Sequence, residues 1–229
     1  MTRPLVLLDW DGTVVDSRDN LLACWYEAST AVIGRRFPET DEELAGVFRR
    51  RGAEIFAEIT RDAQQATELS LAFDVAYVGK GARVFDGMPE ALAELKTSGF
   101  LLGVISSKAR SRLMDDVASA QLERCFDLLQ SGDDVQHAKP HPEGILAAMA
   151  RLAVDPSATV MVGDTDADIR AGRAAAARVM LAAWGYGDVA RLADAADLVC
   201  AKPSDLARSV NKLLELTRDG GTAPHTRAP

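Results

Sequence analysis

The chain has 229 residues, a formal net charge of −8, 48% hydrophobic residues and 26% charged residues. This composition is typical of a globular protein with one sizeable core and room for a small second domain. The acidic balance argues against nucleic acid as a partner, because a phosphate backbone is bound by a basic surface. The sequence has no apolar run of bilayer-spanning length and no signal-peptide pattern, and we therefore expect a cytoplasmic protein that does not bind membranes.

Six short apolar segments alternate with helical patterns along most of the chain. This alternation predicts an α/β fold, a doubly wound parallel sheet with helices on both faces. The predicted strands are Leu5–Leu8, Leu101–Ile105, Phe126–Gln130, Thr159–Val162, Arg178–Leu181 and Leu198–Cys200. The predicted helices between them are Pro89–Ser98, Ser111–Ala120, Glu143–Leu152 and Asp168–Ala176.

One long interval after the first strand shows helical periodicity and no strand pattern. Asn20–Ile33 predicts one helix, and Thr40 followed by Glu43 has the pattern of a capping box that opens another. A small all-helical domain inserted here would cover the carboxyl edge of the sheet. We therefore predict a catalytic core of residues 1–16 and 84–216, a helical cap of residues 17–83, and a disordered tail of residues 217–229.

Two carboxylates follow the first predicted strand. Asp9 and Asp11 come directly after the apolar segment Leu5–Leu8, and Gly12 then releases the chain into a turn. In open α/β sheets, ligands bind beyond the carboxyl ends of the strands. Two acids at this position repel each other and lose solvation. A bound cation or phosphate-ester chemistry explains the pair better than helix capping, which is the alternative for a single aspartate.

Serine hydroxyls follow the second core strand. Ser106 and Ser107 come directly after Leu101–Ile105. A hydroxyl and the turn amides at this position can donate hydrogen bonds to phosphate oxygens. Taken alone the signal is weak, because serines also cap helices.

A lysine and a second group of acids occur in the later part of the chain. Lys139 lies between a loop and a proline-started helix, where it can present its ammonium to an anion or remain a solvated surface charge. Asp164 and Asp168 follow the predicted strand Thr159–Val162. Together with the first two acids they would form the oxygen-rich kind of site that Mg²⁺ prefers.

The order and placement of these residues resemble the four motifs of the haloacid dehalogenase-like (HAD) superfamily. The segment 9–17 is similar to the first motif, Ser106 to the second, Lys139 to the third, and Asp164 with Asp168 to the fourth. The resemblance points to the phosphoglycolate phosphatase-like subgroup. It implies a Rossmann-like core with the smaller, helical type of cap.

The same resemblance implies a magnesium-dependent phosphatase that acts on small phosphorylated metabolites. Asp9 is then expected to attack phosphorus and form an aspartyl-phosphate. Asp11 is expected to protonate the leaving alcohol and later to activate water. The implied Mg²⁺ ligands are Asp9, Asp164 and the backbone carbonyl of Asp11. The implied phosphate-binding residues are Ser106, Ser107 and Lys139, with Asp168 orienting Lys139 or a metal-bound water.

Substrate choice is predicted to lie in the cap. Arg49, Arg50, Arg51 and Gly52 form a basic cluster beside a turn. One arginine could pair with a substrate carboxylate or a second anionic group. The cluster could equally be the cations that favour the C-terminus of a helix. The sequence leaves these two interpretations open.

Asp11 argues against a dehalogenase, because a halide leaving group needs no proton. The leading interpretation is a phosphoglycolate-phosphatase-like hydrolase. The alternatives are a β-phosphoglucomutase-like isomerase, a pyrophosphatase or nucleotidase on the same core, and, from a different class, a catalytically silent binding module. We expect a small phosphorylated metabolite as partner and either a monomer or a homodimer.

Overall fold

A computed structural model describes residues 3–48, 50–80 and 82–218 of the protein. In chain order, its strands are β1 (Leu5–Leu8), β2 (Val15–Asp16), β3 (Arg83–Val84), β4 (Leu101–Ile105), β5 (Leu128–Gln130), β6 (Thr159–Gly163), β7 (Arg178–Ala182) and β8 (Leu198–Cys200). Its α-helices are α1 (Arg18–Ile33), α2 (Asp41–Val47), α3 (Gly52–Ile59), α4 (Ala63–Tyr77), α5 (Met88–Thr97), α6 (Arg110–Ser119), α7 (Glu143–Leu152), α8 (Asp166–Ala174), α9 (Val189–Leu192) and α10 (Leu206–Arg218).

Six strands form one parallel sheet in the order β5-β4-β1-β6-β7-β8. The chain runs from β1 to β4 and β5 on one side and then returns to β6 on the other side of β1. In open α/β sheets, the crevice where the strand order reverses is where ligands bind. The predicted α/β fold class is confirmed, and this crevice lies at the carboxyl end of β1.

Burial on both faces explains why β1 is a continuous apolar run. Val6 and Leu8 point into one hydrophobic cluster, and Leu5 and Leu7 point into another on the opposite face. All four side chains are fully buried. Helices α5, α6 and α10 contribute to the first cluster, while α7 and α8 contribute to the second. Alternating side chains of one strand therefore anchor both layers of helices.

Helices α1 to α4 form a separate hydrophobic cluster above the sheet. Trp25 is at its centre, and its ring centroid lies 5.3 Å from Phe37, 4.9 Å from Phe56 and 5.0 Å from Phe73. The capping box expected at Thr40 is present at the start of α2. The aromatic cluster gives this inserted segment a core of its own.

A short antiparallel ladder joins the inserted helices to the sheet domain. Val15 pairs with Val84, and Asp16 pairs with Arg83. Arg83 is therefore in a strand, although the sequence predicted no strand between residues 17 and 83. Strands of two residues are too short to carry a period-2 pattern, and this explains why the sequence did not reveal them.

Several predicted element boundaries move by one or two residues. Strand β5 begins at Leu128 rather than Phe126. The preceding Asp127 uses its carboxylate to accept hydrogen bonds from the Leu102 amide and from Lys96. Helix α8 begins at Asp166 rather than Asp168, because Thr165 caps it and Asp168 supplies the third residue of the capping box.

The C-terminal prediction needs a correction. Helix α10 continues through Arg218, so Thr217 and Arg218 are helical and not part of a disordered tail. Leu206, Val210 and Leu213 form the buried stripe that holds this helix on the core. The rest of the predicted tail, residues 219–229, lies outside the described residues.

Candidate active site

The predicted site residues from the four motifs meet at the carboxyl edge of the sheet. Asp9 follows β1, Ser106 follows β4, and Asp164 follows β6, while Lys139 comes from the loop before α7. Asp9 is 7% exposed, Ser106 5% and Lys139 9%, and Asp164 is fully buried. Parallel pairing of the three strands brings these separate segments together, as the sequence predicted.

Asp9 is held in place by its backbone. Its N–H donates to the carbonyl oxygen of Val162 at 2.9 Å, which extends the pairing of β1 with β6 by one residue. Its Oδ1 accepts a 2.7 Å hydrogen bond from the Trp10 N–H and lies 2.7 Å from Lys139 Nζ. The carboxylate thus has a fixed orientation toward the crevice.

Lys139 is held between two carboxylates. Its Nζ lies 2.7 Å from Asp9 Oδ1 and 2.7 Å from Asp168 Oδ1. The other oxygen of Asp168 accepts hydrogen bonds from the Thr165 N–H at 3.0 Å and the Thr165 hydroxyl at 2.6 Å. Burial alone would lower the pKa of Lys139, but the charges of Asp168 and Asp9 outweigh burial and raise that pKa. The lysine therefore remains a cation inside the site.

Asp164 is fixed by contacts from two turns. Its Oδ1 accepts from the Thr13 hydroxyl at 3.2 Å, and its Oδ2 accepts from the Tyr186 N–H at 2.7 Å. Gly12 has a φ of +81°, and a Cβ at this position would lie 2.5 Å from Asp164 Oδ2. Gly185 approaches from the other side, where a Cβ would lie 2.3 Å from the Asp164 Cβ. Glycine at both positions lets the two turns close around the carboxylate.

The donor set of the site fits Mg²⁺. Carboxylate oxygens of Asp9, Asp164 and Asp168 all lie within 4.8 Å of one another. Burial and then the charge of Asp168 raise the pKa of Asp164 to about 7, and the same two causes raise the pKa of Asp9. A bound cation would relieve this crowding of negative charge. Both oxygens of Asp168 are engaged, one of them by the Lys139 ammonium, whereas the contacts of Asp9 are on Oδ1 and those of Asp164 are with uncharged donors. Asp9 and Asp164 are therefore the carboxylates best able to hold the ion.

A second group of possible metal ligands lies on the surface. His137, His141 and Glu143 have ligand atoms within 4.8 Å of one another, and both histidines are exposed. Imidazole is a poor ligand for Mg²⁺, which prefers oxygen. This group is therefore no competitor for the predicted magnesium site.

Asp11 has different partners from Asp9. Its Oδ1 accepts from the Ser17 hydroxyl at 2.5 Å and from Lys108 Nζ at 2.9 Å. The Asp11 side chain is 20% exposed. One carboxylate is thus buried beside the predicted metal site, while the other faces the cavity and can exchange a proton there.

A cavity of about 80 Å³ lies between the sheet edge and the inserted helices. Its floor includes Asp9, Asp11, Ser106, Ser107 and Lys139. Its roof is apolar and is made by Leu21, Trp25, Val47, Phe48, Phe56 and Phe73. Arg50, Gly52, Lys108, Arg112, Thr165 and Ala167 complete the lining, so cations contribute to it from both the inserted helices and the core.

The members of the predicted arginine cluster have different surroundings. Arg50 lines the cavity and also lies 2.6 Å from Glu58. The guanidinium of Arg51 instead donates from Nη2 to the Val135 carbonyl oxygen at 2.8 Å and links the cap to the core. Arg49 lies outside the described residues. The geometry favours Arg50 over Arg51 as a substrate contact.

Two cationic residues of the cavity were not predicted from the sequence. Lys108 directly follows the predicted phosphate-binding serines, and this adjacency was the available signal. Arg112 lies on α6, pairs with Asp74 of α4, and stacks 5.1 Å from the Phe73 ring centroid. A single arginine in the first turn of a helix carries no sequence signal that would distinguish it from a surface charge.

Comparison with known proteins defines the class of this enzyme. Residues 6–182 match the haloacid dehalogenase-like hydrolase family, and the protein belongs to that family. The predicted resemblance to this family of hydrolases is confirmed. None of the helices in the described parts of the chain has the length and hydropathy of a membrane span.

Individual relatives cover almost the whole chain. A phosphoglycolate phosphatase of Aquifex aeolicus strain VF5 is 29% identical over 89% of this chain and 95% of its own length. A pyrophosphatase, PpaX of Bacillus mycoides strain KBAB4, is 26% identical over 91% of this chain and 97% of its own. The solved structure of a haloacid dehalogenase-like hydrolase from Bacteroides fragilis has a TM-score of 0.79 and 25% identity, and it covers 90% of this chain and 100% of that one.

Proposed function

We propose that the protein is a magnesium-dependent phosphomonoester hydrolase that forms an aspartyl-phosphate on Asp9. The observation that carries the proposal is the contrast between the two acids of the first motif. Asp9 is buried and oriented by Lys139 at 2.7 Å, whereas Asp11 faces the cavity with separate partners. One group is suited to attack, and the other is suited to move a proton.

In the first step, an Asp9 oxygen forms a bond to phosphorus as the bond from phosphorus to the leaving oxygen breaks. Asp11 donates its proton to that leaving oxygen, and the alcohol departs. Ser106 and Lys139 donate hydrogen bonds to the phosphoryl oxygens and so stabilise the charge that redistributes among them. Asp168 keeps Lys139 aimed at the reacting group through their 2.7 Å contact.

In the second step, water hydrolyses the aspartyl-phosphate. Asp11, now ionised, accepts a proton from the water that attacks phosphorus, and the bond between phosphorus and the Asp9 oxygen breaks. Inorganic phosphate leaves, and both carboxylates return to their starting states. The inserted helices cover the cavity and limit the access of bulk water to the intermediate.

Magnesium would be held by the carboxylates of Asp9 and Asp164 and by the backbone carbonyl of Asp11. When bound, it supplies positive charge that keeps Asp9 ionised next to an anionic phosphate. Thr13 and the Tyr186 N–H keep Asp164 in the orientation this requires.

The proposed substrate is a small phosphorylated metabolite with a second anionic group, such as phosphoglycolate. Support comes from the small cavity, from Arg50 and Arg112 in its lining, and from the relative that bears the name phosphoglycolate phosphatase. The relative named as a pyrophosphatase supports a second candidate, pyrophosphate, whose second phosphate is also anionic. The two arginines could pair with either group.

Turnover of p-nitrophenyl phosphate with Mg²⁺ tests the reaction class. We expect activity in the unaltered chain and its loss in Asp9→Asn, which keeps the size of the side chain but removes the nucleophile. Asp86→Asn is the matched control, because the Asp86 side chain is 94% exposed and its contact with Arg83 is long, at 3.9 Å. Full activity of Asp9→Asn would contradict the proposal.

A panel with phosphoglycolate, pyrophosphate and neutral sugar phosphates then tests the substrate. Removing the cation in Arg50→Gln or Arg112→Gln should raise KM for the substrate with a second anionic group and leave p-nitrophenyl phosphate unaffected. If neutral sugar phosphates were hydrolysed as well as phosphoglycolate and pyrophosphate, the substrate assignment would be wrong, but the reaction class would stand.

A further inference from the structure

A buried ionic cluster lies beside the reacting groups, and the proposed reaction assigns it no part. Lys108 of the core is at its centre, with its side chain 4% exposed. Its Nζ lies 2.9 Å from Asp11 Oδ1 and 2.8 Å from the Tyr77 hydroxyl, and it also contacts Asp116 Oδ2. Burial alone would lower the pKa of Lys108, but the neighbouring Asp11 and Asp116 outweigh burial and raise that pKa.

The contacts of Lys108 exclude a direct role in binding phosphate. An ammonium has three N–H donors, and here the three donors meet three acceptors: Asp11, Tyr77 and Asp116. Lys139, by contrast, contacts Asp9, with 2.7 Å between Nζ and Oδ1. The two buried lysines of the cavity therefore have different partners, and Lys108 is directed at the proton donor rather than at the nucleophile.

Asp116 anchors the cluster from helix α6. Its carboxylate accepts a 3.0 Å hydrogen bond from Trp10 Nε1 and a 2.8 Å hydrogen bond from the Tyr77 hydroxyl, in addition to its contact with Lys108. Its side chain is 2% exposed. With Asp116 held by two neutral donors, the Lys108 ammonium lies between two carboxylates, Asp116 and Asp11.

The cluster spans the boundary between cap and core. Tyr77 is the last residue of cap helix α4, whereas Lys108 and Asp116 belong to the core. The link between Arg112 and Asp74 lies on the same pair of helices, α6 and α4. Movement of α4 away from α6 would remove the Tyr77 hydroxyl from both Lys108 and Asp116.

The arrangement also distinguishes the two oxygens of Asp11. Oδ1 accepts hydrogen bonds from both Ser17 and Lys108. An oxygen that already accepts two donors is a poor position for a proton, so the proton to be transferred would reside on Oδ2.

We propose that Lys108 is a positioning residue that fixes the Asp11 carboxylate for proton transfer from Oδ2 to the leaving oxygen, and that Tyr77 makes this arrangement depend on the docked cap. This inference rests on the proposed function, because it assigns a role toward the proton donor of that reaction. The inference adds that the position of the cap, through Tyr77 and Lys108, affects the proton-transfer group Asp11.

The test measures kcat/KM for the full chain with saturating Mg²⁺ on phosphate monoesters whose leaving groups run from dinitrophenolate through phenolate to an alkoxide. This constant covers the steps up to release of the alcohol, where Asp11 donates its proton. Lys108→Met keeps a long unbranched side chain and removes the ammonium. We expect its kcat/KM to fall about 100-fold for the alkyl ester and less than about threefold for the dinitrophenyl ester, which needs no proton donor.

Tyr77→Phe is the second variant, and it decides the question if Lys108→Met does not fold. It keeps the ring and removes only the hydroxyl, so we expect a smaller loss with the same dependence on leaving group. Lys96→Met is the matched control, because Lys96 makes a 2.8 Å ion pair with Asp127 on the surface. Its profile should coincide with that of the unaltered chain.

Equal losses across the ester series in the folded variants would show a structural role and overturn the proposal. Unchanged values in the folded variants would overturn it as well. Failure of the proposed function has a different appearance: the unaltered chain would hydrolyse none of the esters, or Asp9→Asn would hydrolyse the dinitrophenyl ester at the unaltered rate. Either result would overturn both proposals.

Discussion

Lys139 contacts two carboxylates that differ in what they would do during the reaction. Asp9 would change its charge when it bonds to phosphorus, whereas Asp168 would keep its charge throughout. Asp168 is fully buried and is fixed by two hydrogen bonds from Thr165. Asp168 is therefore the partner that can hold Lys139 in one place over the whole cycle.

Asp168→Asn tests this role at the level of one residue. The substitution keeps the shape but removes the charge that orients Lys139, and we expect kcat with saturating Mg²⁺ to fall about 10- to 100-fold. Asp166→Asn is the control from the same helix, since Asp166 is half-buried and pairs loosely with Arg170 at 3.6 Å. An unchanged kcat in Asp168→Asn would contradict the assignment.

The whole turn after β1, rather than any one of its side chains, shapes the predicted metal site. Thr13 donates to Asp164, and Gly12 packs its backbone against the same carboxylate. Tyr186 binds Asp164 from the opposite turn. The position of Asp164 therefore depends on two loops, which contact it through the Thr13 hydroxyl, the Tyr186 N–H and the backbone of two glycines.

Gly12→Ala should weaken Mg²⁺ binding as well as stability. Its φ of +81° costs about 1–2 kcal/mol for any residue with a Cβ, and that Cβ would also displace Asp164. Gly34→Ala separates the two effects, because Gly34 has a φ of +75° and nothing within 4 Å of the added Cβ. We expect both variants to unfold at lower temperature, and Gly12→Ala alone to need more Mg²⁺ in a calorimetric titration. Equal Mg²⁺ affinities would contradict the loop argument.

For the whole molecule, the charge balance of the site sets how stability depends on pH. Three buried carboxylates, Asp9, Asp164 and Asp168, lie close together, and the buried ammonium of Lys139 pairs with Asp9 and Asp168. The pKa of Asp164 is raised to about 7 from 3.8, so the folded protein binds more protons than the unfolded chain between these values. The metal-free protein therefore loses stability as pH rises through this window.

Mg²⁺ should reverse that loss by replacing the proton. At about 100 times its dissociation constant, a ligand of the folded state raises the melting temperature of a protein of this size by about 5–10 °C. We expect a shift of this order at about pH 8 and a much smaller one at about pH 5, where protons compete for the carboxylates. Asp164→Asn should weaken the dependence on pH and leave the part that comes from Asp9, whose pKa is also raised. A shift equal at both pH values would contradict the account.

Three of the predicted site residues could be located because each lies at a strand end, whereas Lys139, in a loop, was assigned through the motif resemblance. Asp9, Ser106 and Asp164 follow apolar strands, and parallel pairing brings such ends together without any further information. The cluster of Lys108 and Asp116 could not be predicted in this way, because Asp116 meets Trp10 across 106 positions of sequence. Its one local signal is an acid placed with Leu113 and Val117 on the buried face of α6.

The fold was predictable where burial leaves a periodic pattern. β1 and β4 have the predicted ends, because both are apolar along their length and end at polar turns. The β2–β3 ladder was missed because pairing across the cap boundary, rather than local preference, makes Val15 and Val84 extended. Thr217 was assigned to the tail from composition, although α10 continues through Arg218 and is held on the core by Leu206, Val210 and Leu213.

The central claim is that Asp9 becomes phosphorylated. It can be tested with Asp11→Asn and dinitrophenyl phosphate, because this leaving group needs no proton while hydrolysis of the intermediate would lack its base. Acid quenching, borohydride reduction and peptide mass spectrometry should then find homoserine at position 9, and none in Asp9→Asn. Turnover by the unaltered chain with no modification at position 9 in the trapped variant, or with the label on another residue, would contradict the account.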